Sequence, residues 1–418
     1  MALLGVSVWR RALGVDRATV IEEIDFDEES ETVVVHVRPR RSTKRHCGRC
    51  ALRAPLYDRG EGRRKWRTLD LGTLICHLEA ESPRVNCPVH GPTVAQVPWA
   101  RHGAGHTKDF DDQVAWLVTH TPKSAVQELM RVAWRTVGSI VERVVAEGRA
   151  ARDPFEGLVR IGIDEISYKK GHRYLTICVD HDSGRLIWAG IGRTKATLAG
   201  FFDLLGQERC KEIRLVSADA AEWIGHTVRK RCRNATLCID PFHVVQWTTK
   251  ALDDVRAEVW RSARRNGLVG HAKDLKGARY ALWKNPQNLT PRQKEKLAWI
   301  ATLNGPLYVA YLMKEQLRLI IATKGEAALV MLDAWLEWVR GSELPAFVEV
   351  GRKIANNLEG IQAALTHNLS NGLIESTNTK LRVLHRMAFG FKKPEHLIAL
   401  ALLDRGGYCP PLPGRQAA

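Results

Sequence analysis

Three acids in this chain stand where carboxylates can converge. Asp164 comes just past the apolar run L-V-R-I-G-I and Asp219 follows R-L-V-S-A, so each is expected at the carboxyl end of a strand. Strand ends are where polar groups of an α/β sheet meet a ligand without entering the core. Glu375 lies in N-G-L-I-E-S-T-N-T-K-L-R, a late helix from which a longer side chain can reach back toward a sheet. Such a cluster suits Mg²⁺ or Mn²⁺, hard cations that take oxygen ligands and keep positions open for water and phosphate. Two such ions roughly 4 Å apart activate the attacking oxygen and stabilise the leaving one in an in-line displacement. Without metal, carboxylates so crowded would raise one another's pKa. Taken singly, an aspartate after a strand is more often a turn former or helix cap; in this topological order the three are expected to act together.

The neighbours of these acids have plainer expected roles. Glu165 points away from Asp164 if the strand continues, and is read as supporting. Asn371 is expected to cap the glutamate helix. Asn378 and Thr379 share the face of Glu375 and would touch a ligand or steady the carboxylate, while Lys380 and Arg382 extend the helix with positive charge, as phosphate contacts or as a solvated basic face.

A second chemistry is written near the amino terminus. Cys47-Gly-Arg-Cys50 and Cys87-Pro-Val-His90 are two ligand pairs of equal spacing, which suits one structural, tetrahedral Zn²⁺ held by three thiolates and one imidazole. Cys76, His77 and His46 are rival ligands, so the fourth position stays open. Arg63, Arg64 and Arg67, around Trp66, are placed to neutralise phosphates, contacts that give affinity rather than sequence information.

The elements that must position these groups follow from periodicity. Residues 1–105, with short runs such as V-V-V-H-V from Val33, read as a small metal-stapled module. In 106–152, Phe110, Val114, Leu117 and Val118 share a helical face, then Ala125, Leu129 and Val132, then a run from Thr136 to Val145. Three short helices with tight turns resemble a helix-turn-helix, although a plain bundle reads the same way. Residues 153–243 then read as strands at Leu158–Ile163, Tyr174–Val179 and Arg185–Ile191, a helix at Thr197–Leu205, a strand at Glu212–Val216, a helix at Ala221–Arg231 and a strand at Ala235–Ile239. That order is an RNase H-like mixed five-stranded sheet. Residues 244–355 lose strand character and carry Trp247, Trp260, Trp283, Trp299, Trp335 and Trp338 within amphipathic runs, a helical insertion with core tryptophans. Residues 356–418 are expected to complete the catalytic domain. The fold class is therefore multidomain α/β.

Composition bounds the partners. The 418 residues carry 63 Lys and Arg against 46 Asp and Glu, a formal charge of +17, and from Arg38 to Arg67 only Asp58 and Glu61 oppose twelve cations. That balance suits a polyanion. No run of 18 apolar residues or secretory leader is evident, so the expectation is cytoplasmic with no membrane, and the nine cysteines do not read as a disulfide framework.

Taken together, I-G-I-D-E-I-S-Y-K-K-G-H-R-Y, D-P-F-H-V-V, R-Y-A-L-W-K-N-P-Q-N-L-T, S-N-G-L-I-E-S-T-N-T-K and R-M-A-F-G-F resemble blocks of the ISL3 family of bacterial insertion-sequence transposases, of the D-D-E class. The resemblance runs through nearly the whole chain, including the cysteine pattern. It implies RNase H-fold catalysis interrupted by a helical insertion, a zinc module, and double-stranded DNA as partner: the terminal inverted repeats of an element, cleaved and joined to a target. Paired ends would make the protein at least a homodimer while bound at the nucleoid. In transposases of this fold the second acid follows the fourth strand. Metal binding is therefore assigned to Asp219, and a supporting role to Asp240 and His243, which resemble the Asp-x-x-His element after the fifth strand. Two other readings stay open: a nuclease of the same fold without strand transfer, and an inactive transposase-derived DNA-binding regulator.

Overall fold

The computed structural model describes residues 3–391 and 393–415. The chain divides into two compact units, residues 1–154 with 381–418, and residues 155–380. The ends of the expected terminal modules, residues 1, 2 and 416–418, lie outside the described residues.

The first unit begins with helix α1 (Leu3–Ala12) and holds seven strands: β1 (Thr19–Asp27), β2 (Thr32–Pro39), β3 (Leu56–Asp58), β4 (Arg63–Arg67), β5 (Ile75–Glu81), β6 (Arg84–Cys87) and β7 (Gly91–Val94). They form two sheets, ordered β1-β2-β5-β4 and β3-β6-β7. Alternation builds the first sheet's core, since Val33, Val35 and Val37 of β2 and Cys76, Leu78 and Ala80 of β5 all point to one buried face, joined by Trp66 and Trp99. Helices α2 (Lys108–His120), α3 (Lys123–Met130) and α4 (Trp134–Ala151) follow. Arg131, left-handed at φ 52°, ends α3 and makes the tight turn into α4.

The second unit is built on β8 (Arg160–Lys169), β9 (Arg173–Asp180), β10 (Leu186–Ile191), α5 (Lys195–Leu205), α6 (Gln207–Glu212), β11 (Leu215–Ala218), α7 (Glu222–Arg231) and β12 (Thr236–Ile239). The sheet order is β10-β9-β8-β11-β12, with the β10/β9 and β9/β8 pairs antiparallel and β8/β11 and β11/β12 parallel. This is the mixed five-stranded, RNase H-like order expected from the sequence. Two local expectations need correction. The fourth strand begins at Leu215, because Glu212 closes the short helix α6. The first strand does not stop at Ile163: β8 runs on to Lys169, and Asp164 is paired with Ile177 inside the ladder. The apolar run ends at Asp164, but backbone pairing continues through the half-polar stretch E-I-S-Y-K.

The helical region comprises α8 (Pro241–Arg265), α9 (Val269–Gly277), α10 (Arg279–Trp283), α11 (Pro291–Leu303), α12 (Gly305–Thr323), α13 (Gly325–Arg340), α14 (Pro345–Asn356) and α15 (Leu358–His367). Its core centres on Trp335, whose indole N–H donates to the Met313 carbonyl at 2.9 Å; Trp247, Trp260 and Trp299 pack against that core, and Trp338 is exposed. Helix α15 returns to the sheet at β12, where a Cβ on Gly360 would lie 2.6 Å from Ile239 Cγ1.

Helix α16 (Gly372–Met387) contains the division between units, after Lys380, and α17 (Pro394–Arg405) packs on α4 and α2 in the first unit. Arg152 donates to the Gly406 carbonyl at 3.0 Å and lies over the Tyr408 ring. By its contacts α17 lies in the first unit, against α4 and α2, whereas the sequence groups residues 356–418 with the catalytic sheet.

Candidate functional site

Asp164 and Asp219 come from neighbouring parallel strands, Asp164 within β8 and Asp219 directly after β11. Glu375 is in the first turn of α16, where the helix dipole favours an acid, and its N–H donates to the Asn371 carbonyl at 2.8 Å. What seats α16 on the sheet is a glycine. A Cβ on Gly162, two residues before Asp164, would lie 2.3 Å from Ile374 Cδ1, so the missing side chain makes room for the residue next to Glu375. Sequence reasoning missed Gly162, although a glycine inside an apolar strand was signal enough.

Asp164 Oδ1 accepts from the Glu165 N–H at 2.7 Å and Oδ2 from the Asn378 amide at 2.6 Å. Burial, with the nearby charge of Asp219, pushes its carboxyl up to about 6. Asn378 therefore meets the carboxylate. Glu165 lies toward Arg193 at 3.9 Å. Glu375 is exposed; what burial it has raises its pKa, with Asp240 and then Asp219 adding to the rise. Asn371 is buried at the start of α16, but its side-chain amide has no partner, so the cap expected from it is not made through its side chain. Instead its backbone N–H donates to Asp240 Oδ1 at 3.3 Å.

Asp219, Asp240 and His243 form a cluster of their own. One ligand atom from each of Asp219, Asp240 and His243 lies within 4.8 Å of the others. His243 Nε2 is 2.7 Å from Asp219 Oδ1 and 3.9 Å from Asp240 Oδ2, and the Asp219 carboxylate raises the imidazole pKa. Asp240 is the N-cap of α8, accepting from the Phe242 N–H at 3.4 Å. The donor set fits hard divalent cations: crowded carboxylates meet here, and Asp219 Oδ1 is buried with no aligned hydrogen-bond donor.

In the first unit Cys47, Cys50, Cys87 and His90 come together, with Cys50 Sγ to Cys87 Sγ 3.6 Å, Cys47 Sγ to His90 Nδ1 3.6 Å and Cys87 Sγ to His90 Nδ1 3.7 Å. Sulfurs about 2.3 Å from one zinc stand roughly 3.8 Å apart at the corners of a tetrahedron, so the four atoms fit Zn²⁺. Against the effect of burial, the N–H groups of Val89 and His90 draw the Cys87 thiol down to about 6, toward the thiolate a metal needs. The rivals are elsewhere: Cys76 is in the sheet core with its thiol pushed up to about 12 by burial, His77 is beside it on β5, and His46 Nδ1 lies 3.3 Å from the Thr43 carbonyl.

The three arginines around Trp66 have protein partners. Arg63 donates to Glu79 at 2.7 Å and Arg64 to the Ala104 carbonyl at 2.7 Å, while Arg67 pairs with Asp70 and lies over Phe110. Trp66 is buried against Trp99. Trp66 belongs to the strand core, and of the three arginines Arg63 is the exposed one. Lys380 and Arg382 are on α16, Arg382 exposed.

Residues 161–401 match a family model described as a transposase, residues 95–145 the helix-turn-helix domain of transposase family ISL3, and residues 43–90 the zinc-finger of transposases IS204/IS1001/IS1096/IS1165. The chain is 55% identical to the transposase for insertion sequence element IS1557 of Mycobacterium tuberculosis, over 98% of both chains. It is 24% identical to the transposase for IS1001 of Bordetella parapertussis, over 90% of this chain and 92% of that one. With the catalytic model covering more than half of its length and a relative this similar end to end, the chain belongs to the ISL3 family of transposases.

Proposed function

We propose that Asp164, Asp219 and Glu375 are the metal-binding catalytic acids of this transposase, acting on the phosphodiester bonds at the ends of its own element. The observation that carries this reading is the placement of Asp164 and Asp219 on the adjacent parallel strands β8 and β11, with the glutamate helix seated beside them over Gly162. Two Mg²⁺ or Mn²⁺ ions held there would supply activation of the attacking oxygen and stabilisation of the leaving one. The chain's own groups do the positioning. Asn378 fixes the Asp164 carboxylate, and His243 holds that of Asp219. Asp240 ties the start of α8 to the start of α16 through the Phe242 and Asn371 N–H groups.

The zinc module and helices α2 to α4 would hold the terminal inverted repeats, with one structural Zn²⁺ on Cys47, Cys50, Cys87 and His90. Arg63 on β4 and Arg382 on α16, each exposed, would contact phosphate, as would Lys380, two residues before Arg382. Arg64 and Arg67 serve the fold of the module first. Cleavage and joining of two ends call for at least two copies of the chain, at work on DNA in the bacterial cytoplasm; no helix among the described residues is long and apolar enough to cross a membrane.

The test is cleavage of end-bearing DNA by wild type and by Asp164→Asn, Asp219→Asn and Glu375→Gln. Each variant should lose Mg²⁺-dependent cleavage by roughly three orders of magnitude or more while still binding the ends. Undiminished cleavage by any of the three would remove that residue from the site.

A further inference from the structure

Phe242 is the second residue of α8, between Asp240 and His243, and it is 58% exposed. Three constraints hold it in place. Pro241 fixes the backbone at the helix start, the Phe242 N–H donates to Asp240 Oδ1 at 3.4 Å, and the ring meets His243 edge to face with centroids 5.9 Å apart. His243 in turn touches Asp219. An apolar plane is thus fixed in the open, one side chain removed from an acid that faces the reacting phosphate. A benzyl ring offers no donor to phosphate, and the neighbouring carboxylates repel one. The part of a DNA substrate with a flat, polarisable face is the nucleobase, and stacking of a base on an exposed aromatic is a recurrent way of holding a strand.

We propose that Phe242 is the stacking platform for the nucleobase next to the bond that is cut, a positioning residue that sets the scissile phosphate over the acids. This rests on the reading of Asp164, Asp219 and Glu375 as the cleavage site. Every base has a π-face, so the contact steadies the strand without reading its sequence.

The experiment uses the full chain with Mg²⁺ and duplexes carrying the ends of its own element, intact or with one abasic position at each nucleotide flanking the cut. Single-turnover cleavage at saturating DNA is measured for wild type, Phe242→Ala and Phe242→Trp. Phe242→Ala should slow cleavage about 10- to 100-fold with little change in half-saturating DNA, and Phe242→Trp should restore it. One abasic position should slow wild type by a similar factor and slow Phe242→Ala no further, the non-additivity of two groups in contact. Losses that multiply at every position, wild-type rates in Phe242→Ala, or a defect confined to oligomeric state would overturn the proposal. Absence of cleavage of intact ends by wild type would remove the underlying reading as well, and is seen in that arm alone.

Discussion

Asp219 and Asp240 differ in what surrounds their oxygens, and that difference sets what each can do. The Asp240 side chain is 3% exposed and accepts two backbone N–H groups, whereas that of Asp219 is 31% exposed and lies against the His243 imidazole. A ligand that must leave room for water and phosphate has to be accessible, which supports our proposal of Asp219 as the metal acid and Asp240 as the clamp. Asp240→Asn keeps an acceptor oxygen and should retain Mg²⁺-dependent cleavage within about tenfold, while Asp240→Ala should lower stability by about 1–2 kcal/mol in a urea melt. Loss of metal binding in Asp240→Asn alone would reverse the two roles. From the sequence both aspartates followed strands; burial and backbone contacts separate them, and neither is visible in residue types. Asn378 was legible as a neighbour of Glu375 on one helix face, but its bond to Asp164, far away in the chain, needed the fold.

At the scale of elements, the strand order of the catalytic sheet was readable because its apolar runs are short, distinct and separated by clear turns. The reach of β8 was not, since hydrogen bonding continues past the apolar run into E-I-S-Y-K. Gly162 stood out inside its apolar strand, but which helix it seats was hidden, being a matter of van der Waals fit. Gly162→Ala forces a side chain against Ile374 and should cost about 1–3 kcal/mol. Cleavage should fall as Glu375 shifts, and Ile374→Ala should restore part of both losses; an unchanged rate in Gly162→Ala would contradict the packing argument. The zinc pairs were legible as spacing, whereas the protein partners of the arginines beside Trp66 were not, because basic residues that bond within a sheet look the same in sequence as a phosphate-binding stripe. Cys47→Ser should lose about one equivalent of zinc by metal analysis, and full retention would exclude that ligand. At the start of α2, burial lowers His106, stacked on Phe110 and near Arg143, to about 4. A histidine with a depressed folded pKa contributes stability above about 6.5 that is lost as pH falls toward 4. Wild type should therefore lose more stability than His106→Gln between pH 7 and pH 5 in matched urea melts, and parallel losses would contradict it.

For the whole molecule, a formal charge of +17 and two compact units divide the work: one unit bears the zinc module and helix-turn-helix helices, the other the acids. DNA affinity should therefore fall steeply with salt, with a log–log slope that charge removal at Arg63 or Arg382 reduces by about one each. End binding should survive Asp219→Asn, because no acid is needed to hold DNA. The central claim is that one set of acids both cuts element ends and joins them to a target. Its most direct measurement is incubation of the purified protein and Mg²⁺ with a target plasmid and DNA carrying the ends that flank its own gene, with every product mapped to the nucleotide. The account predicts breaks at the element termini and joined 3′ ends in the target, both lost together in Asp219→Asn. Cleavage or joining that persists in that variant, or wild-type breaks scattered without regard to the termini, would contradict it.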